Sequence, residues 1–168
     1  SGGTLVLLSE EQRRDPELLL PLLRRTRAAR LYLPCTLLKE LAVSAVASDP
    51  HLPDLTQIIS AGEQLVMTPA ISAVLQANPQ CRLINQYGPA ETHVVSSYTL
   101  QSKDPAVTPP PIGRPVDNHR LYVTTPRLQP VAVGAAGEIY VGGAAVSRGY
   151  AGLPAAPTAT GCNRGVVT

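Results

Sequence analysis

Apolar runs of strand length alternate three times with capped helical stretches in the first half of this chain, an order that a layered α/β sheet accommodates better than any other simple architecture. Thr4 to Leu8 is a continuous apolar run that predicts a first strand. Asp15-Pro16-Glu17 then supplies an N-cap, a first-turn proline and an acidic residue for a helix through Leu18 to Arg25. Leu31-Tyr32-Leu33 predicts a second strand, closed by Pro34. Thr36 stands where it would cap a helix carrying Leu37, Leu38, Leu41 and Val46, and Ser48-Asp49-Pro50 ends that helix. A third pass runs from Gln57-Ile58-Ile59 through the turn Ala61-Gly62-Glu63 into a helix opened by Thr68-Pro69 and carrying Ile71, Val74 and Leu75. Arg82 to Ile84 is a fourth strand. Short connections between strand and helix are the pattern of right-handed crossovers, so the predicted fold class is α/β, a parallel sheet covered by helices.

The fourth strand runs straight into Asn85-Gln86-Tyr87-Gly88-Pro89-Ala90-Glu91-Thr92, followed by the short apolar pair Val94-Val95. A strand that ends in polar residues, an aromatic, a Gly-Pro breaker and a carboxylate displays those side chains at a sheet's edge, where α/β proteins bind ligands. Beyond about Leu100 the character changes. Asp104-Pro105 and Pro109-Pro110-Pro111 make 101–112 a proline-rich, extended linker. Arg120 to Val123, Val131 to Val133 and Glu138 to Val141 read as short strands between Pro and Gly turns, antiparallel hairpins of a small sheet or barrel. The expected organisation is an α/β subdomain over 1–100, the linker over 101–112, a partial β-barrel subdomain over 113–154 and a loose tail over 155–168.

With 168 residues, 44% of them hydrophobic and 15% charged, the chain has enough apolar content to bury a core and too little charge to be disordered by composition. Its net charge of +2 comes from mixed signs. The one local basic cluster, Arg24, Arg25, Arg27 and Arg30, reads as a solvated helix end rather than a nucleic-acid surface, because no aromatic ladder or basic stripe accompanies it. Cys35, Cys81 and Cys162 lie far apart without metal or redox spacing, and no signal peptide is recognisable; reduced thiols and a cytoplasmic location are expected. Apolar runs such as Leu18-Leu19-Leu20 are too short to span a bilayer, so no membrane partner is expected. His51, His93 and His119 are dispersed and suggest no metal site.

Four strings carry a likeness beyond this pattern: Gly62-Glu63 after an apolar strand; Asn85 to Thr92; Pro111-Ile112-Gly113-Arg114-Pro115; and Gly137-Glu138-Ile139-Tyr140-Val141-Gly142-Gly143 through Arg148-Gly149-Tyr150. In this order and spacing they resemble the amino-acid adenylation domains of nonribosomal peptide synthetases, over nearly the whole chain; acyl-CoA ligases of the same adenylate-forming superfamily share parts of the pattern. The resemblance implies part of that family's large α/β subdomain followed by part of its barrel. It also implies amino-acid activation: a carboxylate attacks the α-phosphorus of ATP, giving an aminoacyl adenylate and pyrophosphate, before transfer to a carrier-protein thiol. ATP and Mg2+ are the implied cofactors. Tyr87 would lie against adenine, Gly62 and Glu63 would border the same slot, Gln86 and Gly88 belong to the same nucleotide-binding stretch, and Glu91 would hold the magnesium. Those residue types suit the roles, since an aromatic face stacks on a base and a hard cation takes oxygen ligands. On residue identity alone, Tyr87 reads equally as a packing residue and Glu91 as a solvated loop carboxylate. The implied amino-acid pocket is Tyr32, Ile59, Ala61, Gln86, Val94 and Val95, an apolar lining with one amide and one phenol that suits a neutral side chain. Ile59, Val94 and Val95 read equally as inward-facing strand residues.

Departures from the family pattern bear on competence. Ala90 stands where the family usually has a threonine, and the 168 residues contain no Gly- and Ser/Thr-rich loop ending in Lys-Gly. Nor do they contain the Thr-Gly-Asp element whose aspartate binds ribose, or the C-terminal subdomain with its catalytic lysine. The expectation is therefore a fragment of an adenylation domain, truncated at both ends and without catalytic competence alone; no catalytic residue is assigned. The alternative is a non-catalytic interaction module on the same scaffold, binding a condensation domain, a carrier protein or a second copy of itself, or a degenerate remnant.

Overall fold

A computed structural model describes residues 2–104 and 107–152. Helix starts follow the local chemistry. Ser9 opens α1 (Glu10–Arg14) with a capping box: its hydroxyl accepts from the Gln12 amide at 3.2 Å while Gln12 Oε1 accepts from the Ser9 amide at 3.0 Å. Asp15 caps α2 (Pro16–Thr26) by accepting from the Glu17 amide at 2.8 Å, with Pro16 in the first turn as its sequence predicts. Thr68 caps α4 (Pro69–Ala77) by accepting from the Ile71 amide at 3.2 Å. The third helix, α3 (Cys35–Ser48), departs from expectation: Pro34 occupies the cap without a side-chain bond, and Thr36 already lies inside the helix. There its hydroxyl donates to Glu63 Oε2 at 2.9 Å instead of capping.

Strands β1 (Arg30–Tyr32) and β2 (Gln57–Ala61) pair in parallel, Leu31 opposite Ile58 and Tyr32 opposite Ile59. With β3 (Arg82–Tyr87), β4 (Ser96–Leu100) and β5 (Arg114–Pro115) they form one sheet in the order β1-β2-β3-β4-β5. The sheet is mixed rather than purely parallel, because β4 and β5 run antiparallel. Strands β6 (His119–Thr124) and β7 (Glu138–Gly143) make a separate antiparallel ribbon, with Leu121 opposite Val141.

Three expectations need correction. Thr4 to Leu8 forms no strand: no described strand pairs with it, and Leu5 and Leu7 are 82% and 81% exposed. An apolar run supplies side chains for a sheet, but a strand also needs a neighbour's backbone to complete its ladder. Val131 to Val133 forms no strand either, since the pairing with β6 shrinks to a bridge between Thr124 and Pro130 and a turn follows, the Ala135 amide donating to the Ala132 carbonyl at 3.0 Å. Without that third strand, the expected barrel region is, among the described residues, a ribbon of two strands that does not close. The tail expected over 155–168 lies outside the described residues.

The chain divides into two compact units, Ser1–Ile84 with Thr99–Pro109 and Asn85–Tyr98 with Pro110–Thr168. In the first, burial alternates along β2: Ile58 and Ser60 are buried, while Ile59 and Ala61 on the opposite face are half-buried. Leu38, Leu41, Ala42 and Ala45 of α3 and Ile71, Val74 and Leu75 of α4 gather around Ile58. Their spacing of three and four residues is what one apolar helix stripe requires. Asn78, at the end of α4, is wholly buried and satisfied: Nδ2 donates to the Pro50 and Val74 carbonyls at 2.7 and 2.8 Å, and Oδ1 accepts from the Leu52 amide at 2.6 Å. The second unit has its own small core, in which Val95 and Val141 are packed by Tyr87, Leu121 and Val146.

Candidate functional site

The stretch singled out from the sequence is a loop folded back on itself within the second unit. Asn85 is buried and anchors its start, Nδ2 donating to the Pro111 carbonyl at 2.9 Å. The Val95 amide donates to the Tyr87 carbonyl at 2.8 Å, which pins the two ends of the loop together. Only glycine fits at position 88, where a Cβ would lie 1.6 Å from the His93 carbonyl oxygen. His93 closes the turn at a φ of 57°, a left-handed conformation that histidine adopts more readily than most residues. Thr92 is buried beneath, its amide donating to the Pro89 carbonyl at 3.1 Å and its hydroxyl to the His93 carbonyl at 3.2 Å.

Glu91 sits at the turn of this loop and is held at both ends. Its carbonyl accepts from the Ser147 amide at 2.8 Å, and its Oε1 accepts from the Tyr150 hydroxyl at 2.7 Å. The Tyr150 hydroxyl, with help from the backbone amide of Glu91 itself, holds the carboxyl below the usual glutamate range. Tyr150 is pushed up in return by its bond to the carboxylate and by that negative charge. Gln86 and Val94 are half-buried, and Ala90 is exposed. Tyr87 is half-buried and packs on the Val95–Val141 core, while Val95 is fully buried in that core, the inward-facing role its sequence also allowed.

The remaining candidates belong to the first unit. Tyr32 is 60% exposed and lies opposite half-buried Ile59 in adjacent parallel strands, so both share the sheet face turned away from Leu31 and Ile58; Ala61, two residues on, shares it too. Gly62 is exposed and turns the chain at a φ of 96°. Glu63 is exposed but tethered, its carboxylate by Thr36 and its carbonyl by the Cys35 thiol at 3.3 Å. Ser60 Oγ and Cys35 Sγ lie 3.2 Å apart, and Ser60 donates to the Leu33 carbonyl at 3.0 Å, which fixes the end of β2 to the start of α3. Within each unit the candidates thus stand on elements whose ends are tied by hydrogen bonds.

Among the described residues, no three His, Cys, Asp or Glu side chains gather to cage a metal. Magnesium does not need such a cage, because it is commonly bound through one or two carboxylates, with substrate phosphates and water completing the shell. A single ionised glutamate with one oxygen held by a hydroxyl fits that mode. Tyr150 and Ser147 escaped sequence reasoning as partners of Glu91. The motif string ending in Arg148-Gly149-Tyr150 was visible, but nothing in the residue pattern says where that string lands. No described helix is long and apolar enough to cross a membrane.

Residues 1–151 match the family described as AMP-binding enzyme, and the chain belongs to that family. It is similar to gramicidin S synthase 2 of Brevibacillus brevis, with 37% identity over 150 residues that cover 89% of this chain and 3% of that synthase. Tyrocidine synthase 2 of Brevibacillus parabrevis is similar at 36% identity over 154 residues, 92% of this chain and 4% of the synthase. Among solved structures, the nonribosomal peptide synthetase FmoA3 in its alpha-methyl-L-serine-AMP bound form superposes with a TM-score of 0.69 at 26% identity, over 80% of this chain and 15% of that one. The likeness to nonribosomal peptide synthetase adenylation domains expected from the sequence is therefore found in both sequence and fold, and the chain spans a small fraction of the synthases it matches.

Proposed function

We propose that this chain contributes to ATP-dependent amino-acid activation, as part of an adenylation domain that forms an aminoacyl adenylate and passes it to a carrier-protein thiol. The observation that carries the reading is Glu91: an ionised carboxylate held at the turn of a loop whose shape is set by its own main chain. In this reading Glu91 takes Mg2+, which when bound would draw charge from the ATP oxygens. Tyr87, only partly buried, offers an aromatic surface for adenine, flanked by Gln86 and Gly88; Gly62 and Glu63 of the first unit are assigned to nucleotide binding by the family resemblance alone. Tyr32, Ile59 and Ala61, on an incompletely covered sheet face of the first unit, offer mostly apolar surface to a neutral amino-acid side chain; Val94 of the second unit is assigned to that role by the family resemblance alone. The aminoacyl-AMP in the FmoA3 structure supports a substrate of this class.

Calorimetric titration of the chain with ATP and Mg2+ tests the proposal. Binding in the millimolar range is expected, and Glu91→Gln should weaken it about tenfold or more, the cost typical of disturbing a metal's ligand environment. A titration without heat at millimolar nucleotide would refute the reading. The 168 residues alone should not catalyse exchange of pyrophosphate into ATP, because they contain no glycine-rich loop ending in Lys-Gly; robust exchange would refute that part.

A further inference from the structure

Tyr150 stands 59 residues from Glu91 in sequence, yet its hydroxyl reaches Glu91 Oε1 at 2.7 Å. Ser147, three residues earlier, donates its amide to the Glu91 carbonyl at 2.8 Å. One segment thus grips both the backbone and the side-chain end of a single residue. Packing does not account for the second grip, since Tyr150 is 49% exposed and lies outside the Val95–Val141 core. Among the described residues, no other side chain bonds to the Glu91 carboxylate.

A carboxylate has two oxygens in one plane, and fixing one of them fixes the direction in which the other points. Resting on the reading that Glu91 takes a divalent cation, we propose that Tyr150 is a positioning residue, whose hydroxyl holds Oε1 so that Glu91 meets the cation through Oε2 alone. Single-oxygen ligation suits Mg2+, which demands octahedral geometry and keeps several waters. A glutamate already bonded also has less side-chain freedom to lose when the cation binds. The phenol of Tyr150 thereby acts on the metal without touching it, as partners of ligating groups commonly do.

Tyr150→Phe keeps the ring and removes only the hydroxyl. Mn2+ serves as the probe, its free fraction read by electron paramagnetic resonance while the chain is titrated in the presence of ATP; ATP affinity without metal and the melting temperature are measured alongside. The expected result is a loss of about tenfold in Mn2+ affinity for Tyr150→Phe, with metal-free ATP affinity and melting temperature unchanged, and a larger loss for Glu91→Gln. Equal Mn2+ affinity in Tyr150→Phe and the unaltered chain overturns the role of Tyr150 while leaving Glu91 as ligand. A matching loss of metal-free ATP affinity also overturns it, because the tyrosine would then support the loop generally. Equal Mn2+ affinity in Glu91→Gln and the unaltered chain overturns the cation reading itself, and this inference with it.

Discussion

Replacing Gly88 by alanine sets two effects of opposite sign against each other. Gly88 is not one of the positive-φ glycines, so alanine suits its backbone angles, and by restricting the unfolded chain it would on that ground alone add about 0.4–1 kcal/mol of stability. Against this, the new Cβ would stand 1.6 Å from the His93 carbonyl oxygen, 2.5 Å from its carbon and 2.9 Å from Val94 Cα. All three are main-chain atoms with no rotamer to turn aside. Since non-bonded carbon atoms settle about 3.5–4.0 Å apart, the loop would have to open by more than about 1 Å. Opening pulls on the Val95 amide bond to the Tyr87 carbonyl and carries Glu91 away from Ser147 and Tyr150. Overpacking costs about 1–3 kcal/mol where side chains can give way, and backbone against Cβ belongs at or above the top of that range. The steric effect wins, with a net loss of at least about 2 kcal/mol. Urea denaturation followed by circular dichroism reads this as a lower midpoint, with amide spectra changing most around 85–95, Ser147 and Tyr150. An alanine variant as stable as the parent, or more stable, would show that the entropic effect alone governs the position and would refute the argument.

Two further outcomes are expected elsewhere in the molecule. Asn78→Ala removes three hydrogen bonds, two of them buried and one part-buried, and strands the Leu52 amide, so thermal or urea denaturation should register a loss of about 2–4 kcal/mol; a loss below about 0.5 kcal/mol, within the usual scatter of a surface substitution, would contradict it. Burial pushes the Cys81 thiol up to about 11, against a small opposing pull from a backbone hydrogen bond to Ile58, so thiol reagents should modify it at about pH 8 only as the chain opens. Because its folded value lies above the ordinary 9.0, its contribution to stability is complete below pH 9 and lost as the pH rises through about 11. Stability measured against pH should therefore fall more steeply across that window in the parent than in Cys81→Ala, and parallel curves would count against the assignment.

Helices were legible where a cap announced them. Asp15-Pro16 and Thr68-Pro69 mark the starts of α2 and α4 because an oxygen that accepts a first-turn amide and a ring that needs none are local facts. Strands were less so, because their existence depends on a partner. Thr4 to Leu8 has the side chains of a strand without a described neighbour, and β4 begins at Ser96 rather than at Val94-Val95 because the ladder, not the apolar pair, sets its start. For the candidate site, Asn85 to Thr92 stood out by its mixture of breaker, aromatic and carboxylate. The grip on Glu91 by Ser147 and Tyr150 did not, since a contact between segments that far apart leaves no trace in periodicity or spacing. Val95 shows the converse: its identity allowed two roles, and only packing distinguishes the core valine from a pocket valine.

The close approach of Gly88 to His93 also frees a neighbour. Main-chain contacts and the buried Thr92 shape the loop, whereas Ala90 is exposed and is not required by any of those contacts. Position 90 is therefore decoupled from the loop's geometry, even though it lies beside Glu91. Alanine, serine and threonine can succeed one another there as single changes, gaining or losing a hydroxyl while the turn around them keeps its form. A family that keeps its glycine can vary the chemistry next to its carboxylate without redesigning the scaffold that holds it.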